Sequence, residues 1–545
     1  MTFIQFIPSA QTGFRRVSAT FGVLVALAAP LALSAFTTGC GGDGANKPAG
    51  SEFHQSGADV SGSSGNASGS TGSAGNTGGS GSSGTALSGT YLSDNSGSSG
   101  GSAGDGGSAV DPRCADGGTT TISGVVYDPA MMDPLYNITV FVPDPASPLP
   151  KLARTGASCA ACSDLYPTTV NASAVTDSTG HFTISMSAGG QPVIAGQNVP
   201  LVVQTGKWRM QFTIPNVDTC VDNPQPDKSL HLPANSSEGD LPDIAISTGS
   251  ADSLECLPLR IGVDAAEYTA GASTGGHIHI FQGAGGATTS PSAPASYQGL
   301  WDSTADLQAN DVVLLSCEGK ETANMTAANQ QSLSDYASAG GRVFASHFHY
   351  AWFNTGPFAS DNLAQWTAGS NHIDDTQSFP GNVTTTLNVG GGAFPEGVAL
   401  ASWLGVVGAL TNGQLPIWFA RGNAIVTSAN TPSQPWITFD GTVPAPGTNG
   451  TQYFSFDTPI GVTGPEKCGR VVYSDLHVSG GPGTNEPGVP ADYASGAKTN
   501  IAPSGCASHP LTPQEKALEF MLFDLSSCLQ SIGSPPQVVT HPTPR

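Results

Sequence analysis

The side chains able to do chemistry in this sequence are one thiol and a few imidazoles. Cys317 precedes Glu318 and follows the apolar run Val312-Val313-Leu314-Leu315. A cysteine attacks only as thiolate, so it needs a base within reach. His347 stands just past Arg342-Val343-Phe344-Ala345-Ser346. Adjacent strand ends would bring it to Cys317, which makes Cys317, Glu318 and His347 the candidate catalytic residues. The same thiol suits a small buried side chain or a disulfide partner, and that is the favoured reading. The histidines suggest a different chemistry. His277-Ile278-His279 and His347-Phe348-His349 are both His-x-His, and Asp475-Leu476-His477 adds a carboxylate and a further imidazole. Residues two apart on a strand face one side, and two imidazoles on one side can hold a zinc or copper ion. His347, His349 and His477 are the candidate ligands, with zinc the ion considered. Spacing alone does not bring these distant segments together; apart, they are ordinary strand-edge histidines.

The elements that would position them read as an α/β unit between about residues 257 and 532. Leu259 to Asp264 and Asp311 to Ser316 read as short buried strands. Thr326 to Ala339 carries a helical pattern, closed by Gly340-Gly341, and Arg342 to Ser346 follows as a strand. Glycine at a helix end takes the left-handed cap, and strand, helix, strand with apolar strands predicts a parallel sheet. Residues 372–460 read as a β-rich insertion. Near the end, Thr512-Pro513-Gln514-Glu515 predicts a capping box opening a helix, with Ala517, Leu518, Met521, Leu522 and Leu525 as its core stripe. Cys528, at its end, is expected to clip to Cys468 or Cys506. Residues 533–545 read as a loose tail.

Residues 113–252 read as all-β. Thr139 to Val142 alternates as a half-buried strand does, and Asp177-Ser178-Thr179-Gly180 supplies a turn before His181-Phe182-Thr183-Ile184. Pro200 to Gln204 and Arg209 to Ile214 make a further strand pair. Trp208 and Tyr136 could stack on a sugar, but buried packing is the expected fate of each.

Composition locates the rest. Glycine is 70 of 545 residues and charged residues are only 11%, less than half the usual share of about 25%. The net charge is −23, from 18 Lys and Arg against 41 Asp and Glu. That argues against nucleic acid, which needs clustered cations. Arg15 and Arg16 precede an apolar stretch from Val17 to Phe36, then Thr37-Thr38-Gly39-Cys40. A basic start, a short apolar core and small residues predict a secretory signal over residues 1–40; a membrane-spanning anchor is the alternative. Residues 41–112 are almost all small and polar, too poor in apolar surface to offset ordering entropy, so they read as a disordered Gly/Ser stalk. There are ten cysteines, which in an exported chain predict disulfides. Cys159-Ala160-Ala161-Cys162 fits a local disulfide or a loop paired elsewhere.

Three resemblances add to this. Gly39-Cys40 resembles the bacterial lipoprotein signal, which implies lipidation of Cys40 and a membrane partner through that anchor, at the outer membrane or cell surface. SGVVYDP, PLYNITVFV and AVTDSTGHFTI resemble the carboxypeptidase regulatory-like domain, which implies a transthyretin-like β-sandwich with a fold shared by some carbohydrate-binding domains. NDVVLLSCEG, LSDYASAGGRVFASHFHY and CGRVVYSDLHV resemble the ThuA-like branch of the class I glutamine amidotransferase-like fold. This implies a flavodoxin-like sheet, with His347 and His477 at strand ends. In amidotransferases the nucleophilic cysteine sits on the turn after the Gly-Gly strand. Here that turn reads Ser346-His347, so glutaminase chemistry by that route is not expected.

The expectation is a multidomain chain: stalk, all-β sandwich, then α/β domain with its insertion. Its expected role is binding or envelope interaction, with a carbohydrate or envelope component as partner and no established catalysis. The alternative is an exported hydrolase-like enzyme acting on a carbohydrate or amide. Convergence of the five candidate side chains in one place would favour the enzyme. A first outcome is testable in cells: Cys40→Ala should take up no labelled fatty acid, whereas label on the variant would refute the anchor.

Overall fold

The computed structural model describes residues 113–537, except 145–148, 158, 160–164, 167–169, 186–194, 272, 290–294, 322–324, 375, 440–449, 479–491 and 494–500. The expected signal, Cys40 and the stalk lie outside the described residues, as does Cys162. Among the described residues no helix is long and apolar enough to cross a membrane.

Two four-stranded sheets form first. One orders His181–Ile184, Thr121–Tyr127 and Asp222–Pro224, with Leu230–His231 also paired to the central strand. The other orders Val170–Val175, Thr139–Pro143, Gly196–Thr205 and Trp208–Val217. Alternation along the strands decides what they bury. Val140, Val142, Leu201 and Val203 share a core with Ile122, Val126, Phe182 and Ile184, while Phe141 and Val202 face Tyr166 and Cys528. The turn at Asp177 forms as its residues dictate: Asp177 Oδ1 accepts from Thr179 N at 2.8 Å and His181 N at 3.1 Å. Gly180 closes it at φ +73°, where a Cβ would stand 2.7 Å from Pro134 Cβ.

The large sheet has mixed direction. Tyr268–Ala270, Ile278–Gln282, Ile244–Ser247, Val312–Leu315, Arg342–Ser346 and Gly469–Ser474 run parallel in that spatial order. Thr451–Thr458, Ser433–Phe439, Phe379–Val383 and Leu415–Ile417 continue it antiparallel. The parallel strands are apolar throughout because both faces are covered. Val312, Leu314, Phe344 and Val472 pack on one side with Leu518, Met521, Leu522 and Leu525 of the helix Pro513–Ser526. Val313, Leu315, Val343, Ala345 and Val471 pack on the other with Leu333 and Tyr336 of the helix Ala327–Ser338. Both helices open with capping boxes, Thr512 with Glu515 and Thr326 with Asn329.

Several expectations change. Leu259 to Asp264 is not a strand: Leu257–Arg260 is a helical turn with Pro258 at its start, and the central place in the sheet belongs to Ile244–Ser247, read from sequence as part of the β module. The stretch 372–460 is β-rich, as expected. Its strands extend the large sheet, and it contains the helix Pro395–Val406. Cysteines pair as Cys114–Cys220, Cys159–Cys468 and Cys256–Cys506, and Cys528 is disulfide-bonded elsewhere. Cys528 therefore joins neither Cys468 nor Cys506, whose sulfurs are taken by loops of distant sequence. Trp208 and Tyr136, by contrast, are packed rings as expected: Trp208 meets Phe523 edge-on at 5.8 Å and Tyr136 stacks on Phe520 at 5.6 Å.

That junction also buries acid. Asp128 accepts from Met132 N at 2.6 Å, Lys516 Nζ stands 3.7 Å from Asp133, and Glu519 is fully buried. Burial, and then the neighbouring Asp128 and Asp133, hold the Glu519 carboxyl well above its ordinary range, against Lys516. Burial lifts Asp128 to about 7, against the backbone N–H groups it accepts from. Between about pH 4, where unfolded carboxyls lose their protons, and about pH 7, the folded state binds more protons than the unfolded chain. These groups therefore stabilise the fold at low pH and lose that contribution as pH rises through the window. Urea midpoints of the wild type should fall, relative to Glu519→Gln, from about pH 4 to 7; parallel curves would contradict the assignment.

Candidate functional site

Parallel alignment places the carboxyl ends of Ile244–Ser247, Val312–Leu315, Arg342–Ser346 and Gly469–Ser474 along one edge. Ligand and catalytic groups of α/β sheets gather at such edges, beside the point where strand order reverses. Here the order reverses between Ile244–Ser247 and Val312–Leu315, because the chain adds Ile278–Gln282 on one side before crossing back to the other.

Three candidates meet there. Cys317 Sγ lies 3.5 Å from His347 Nδ1, and His477 Nε2 lies 3.2 Å from the same Nδ1. One donor atom from each residue falls within 4.8 Å of the others, and all three side chains are fully buried. Among the described cysteines, Cys317 is the one outside a disulfide. His347 is placed by an unusual backbone. The strand ends at Ser346 and the chain turns into the 3-10 helix His347–Trp352 with His347 at φ +38°. A non-glycine residue there costs free energy and persists only when its surroundings enforce it. Tyr473 Oη donates to the His347 carbonyl at 2.9 Å and holds the turn.

The others go elsewhere. His349 does not join His347, because residues two apart on a 3-10 helix do not share a side. Its Nδ1 accepts from Trp352 Nε1 at 3.0 Å and its Nε2 donates to the Ser316 carbonyl at 2.9 Å. Both nitrogens are used, so His349 is not a ligand. Glu318 follows Cys317 but faces the 283–286 loop, where a Cβ on Gly283 would lie 2.9 Å from its Oε1. Asp475 accepts from the backbone N–H groups of Asn423 and Ala424 at 2.7 and 2.9 Å, and so holds a loop, not the imidazoles. His277 and His279 lie 3.2 and 3.1 Å from Asp243 Oδ1. Asp243 precedes its strand and also accepts from Arg154 Nε at 3.1 Å, so this group is an internal clamp between the β module and the large sheet.

Electrostatics narrow the chemistry. Burial pushes His347 down to about 4; Cys317 opposes the shift, while His477 and Arg421 add to it. The imidazole is therefore neutral at neutral pH, and a thiolate–imidazolium pair of the protease kind is disfavoured. Burial first, and then Cys317, raise the Glu318 carboxyl to about 7, against a hydrogen bond from Ala284 N. Sequence reasoning missed Asp252 and Arg421, both fully buried near this edge. Asp252 follows Ile244–Ser247, so it escaped notice once that strand was assigned to the β module. A lone Arg421 inside a β-rich stretch carries no pattern.

Compared with protein-family models and with curated proteins, the chain matches none.

Burial makes one outcome direct. Iodoacetamide should leave Cys317 unmodified in the native protein below about pH 8, the ordinary thiol range, and modify it after denaturation. Rapid native labelling at pH 6 would restore the activated-thiolate reading.

Proposed function

We propose that this chain is an exported, lipid-anchored surface protein whose large sheet carries a buried zinc centre made by Cys317, His347 and His477. The observation that carries the reading is the meeting of three donors at one strand edge. Ligands around a tetrahedral zinc stand about 3.3 Å apart for two nitrogens and about 3.6 Å for nitrogen and sulfur, given the usual bond lengths. The two separations here are 3.2 and 3.5 Å. A Cys-His-His set matches zinc's preference for sulfur and nitrogen, and three protein ligands leave one position open, as in catalytic sites. Zinc in such a site supplies Lewis-acid polarisation of a carbonyl.

The protein's own part is to fix the donors. Tyr473 and the turn at His347 set one imidazole. Asp475 anchors the loop that carries the buried Arg421, whose guanidinium is near enough to bias His347. Glycoside hydrolysis uses a pair of carboxylates across the bond, and the three convergent donors include none. For the enzyme reading of this chain, an amide is thus a better fit than a carbohydrate.

The supporting resemblances run in the same direction. The sequential order of the five principal parallel strands is the 2-1-3-4-5 order of flavodoxin-like sheets, in keeping with a ThuA-like unit. The two small sheets sharing one core are in keeping with a transthyretin-like sandwich. The anchor and envelope location rest on the sequence around Cys40 alone.

Metal analysis tests the reading. Purified mature protein should hold about one zinc per chain after dialysis. Cys317→Ser, His347→Ala and His477→Ala should each lose it, and His349→Ala should keep it. Wild-type protein with less than about a tenth of that content would end the proposal.

A further inference from the structure

The loop that follows Ile244–Ser247 touches all three ligand-bearing segments. Ala251 N donates to the Cys317 carbonyl at 3.1 Å, and Ser250 Oγ donates to the Glu318 carbonyl at 2.9 Å. Gly249 permits this approach, since a Cβ there would stand 2.0 Å from the Cys317 carbonyl oxygen. Asp252 then reaches the other two segments through one atom. Its Oδ2 accepts from Ser346 Oγ at 2.7 Å and from Val478 N at 3.2 Å. Ser346 is the residue before His347, and Val478 is the residue after His477.

We propose that Asp252 is the positioning residue of the Cys317–His347–His477 centre, setting the separation of its two imidazoles through Ser346 and Val478. The inference rests on the metal reading given above, and it adds a specific device to it. Neither histidine has a strand on both sides at this point. His347 lies past the last residue of its strand, and His477 lies three residues past Ser474. Sheet hydrogen bonds therefore no longer hold the two chains in register. A shared carboxyl oxygen replaces that restraint, and it is buried, where a hydrogen bond is strong and hard to exchange for water. Outer contacts of this kind orient metal ligands and tune their affinity.

The test uses the full mature chain with Asp252→Asn and, as the milder change, Ser346→Ala, which removes one donor and no charge. Zinc dissociation constants should rise about 10- to 100-fold in Asp252→Asn and by less in Ser346→Ala. The ligand-field bands of the cobalt(II)-loaded protein should shift in both. A merely structural loss would lower the melting temperature without moving those bands at temperatures where the protein is folded. Wild-type zinc affinity and an unchanged cobalt spectrum in both variants would overturn the inference. Should the wild type take up no metal, the metal reading fails and Asp252 is judged separately. In that case the imidazole nitrogen-15 signals of His347 and His477 should still shift together in both variants while those of His279 stay fixed. Signals of His347 and His477 that stay fixed as well would overturn it.

Discussion

Four parallel strands end on, or one residue before, a serine at one edge of the large sheet, and that shared register underlies everything at the site. Ser346 stands opposite Ser474, Leu315 stands opposite Ser247, and Ser316 N donates to the Ser247 carbonyl at 2.9 Å. All four serines are fully buried. Small side chains at this level leave room for the following loops to fold back over the strand ends. A slip of one residue would turn every inward side chain outward, and the two cores above and below the sheet forbid it. Register is thus fixed by burial on both faces, and the loops inherit their positions from it.

The β module and the large sheet share one core instead of meeting at a surface. Ile122, Val140 and Trp208 belong to the same buried cluster as Ile244, Phe344 and Phe523. Disulfides reinforce this between residues far apart in sequence, with separations of 309 for Cys159–Cys468 and 250 for Cys256–Cys506. The few charges are spent inside as well. Lys207–Asp311, Arg209–Asp240, Arg260 with Asp492 and Glu515, and Arg470 with Asp457 and Asp524 are all pairs with little exposure. Removing one member of such a pair costs about 3–5 kcal/mol, because the other charge is left buried. A chain with 11% charged residues therefore uses many of them as internal fasteners, and its outer surface depends on uncharged polar groups.

Local signals in the sequence were legible where one residue decides the outcome alone. Thr512 caps its helix because a side-chain oxygen meets orphaned N–H groups within three residues. Val312–Leu315 and Arg342–Ser346 are strands because nothing but a doubly covered sheet accommodates such runs. What escaped was decided by distant partners. Ile244–Ser247 carries the same apolar character as any strand of the β module, and only Ile278–Gln282 and Val312–Leu315 on either side fix its sheet. His349 looked like a ligand because the chain past Ser346 was read as extended. The turn at His347 changes the periodicity from two to three, and it turns His349 to Ser316 and Trp352. Cysteine pairing likewise has no local signature.

The charge state of the centre bears on why three donors should sit together at all. Two imidazole nitrogens 3.2 Å apart in a fully buried site can share a proton or share a cation, and burial disfavours both rings being charged. A thiol at 3.5 Å adds a group that becomes anionic readily when a metal binds. A divalent ion held by one thiolate and two neutral imidazoles leaves one net positive charge. Asp252 accepts hydrogen bonds from the residues flanking both imidazoles, so the two rings are held by one buried group. On the reading proposed above, a cation accounts for the meeting of all three donors, whereas a shared proton accounts for the two imidazoles alone.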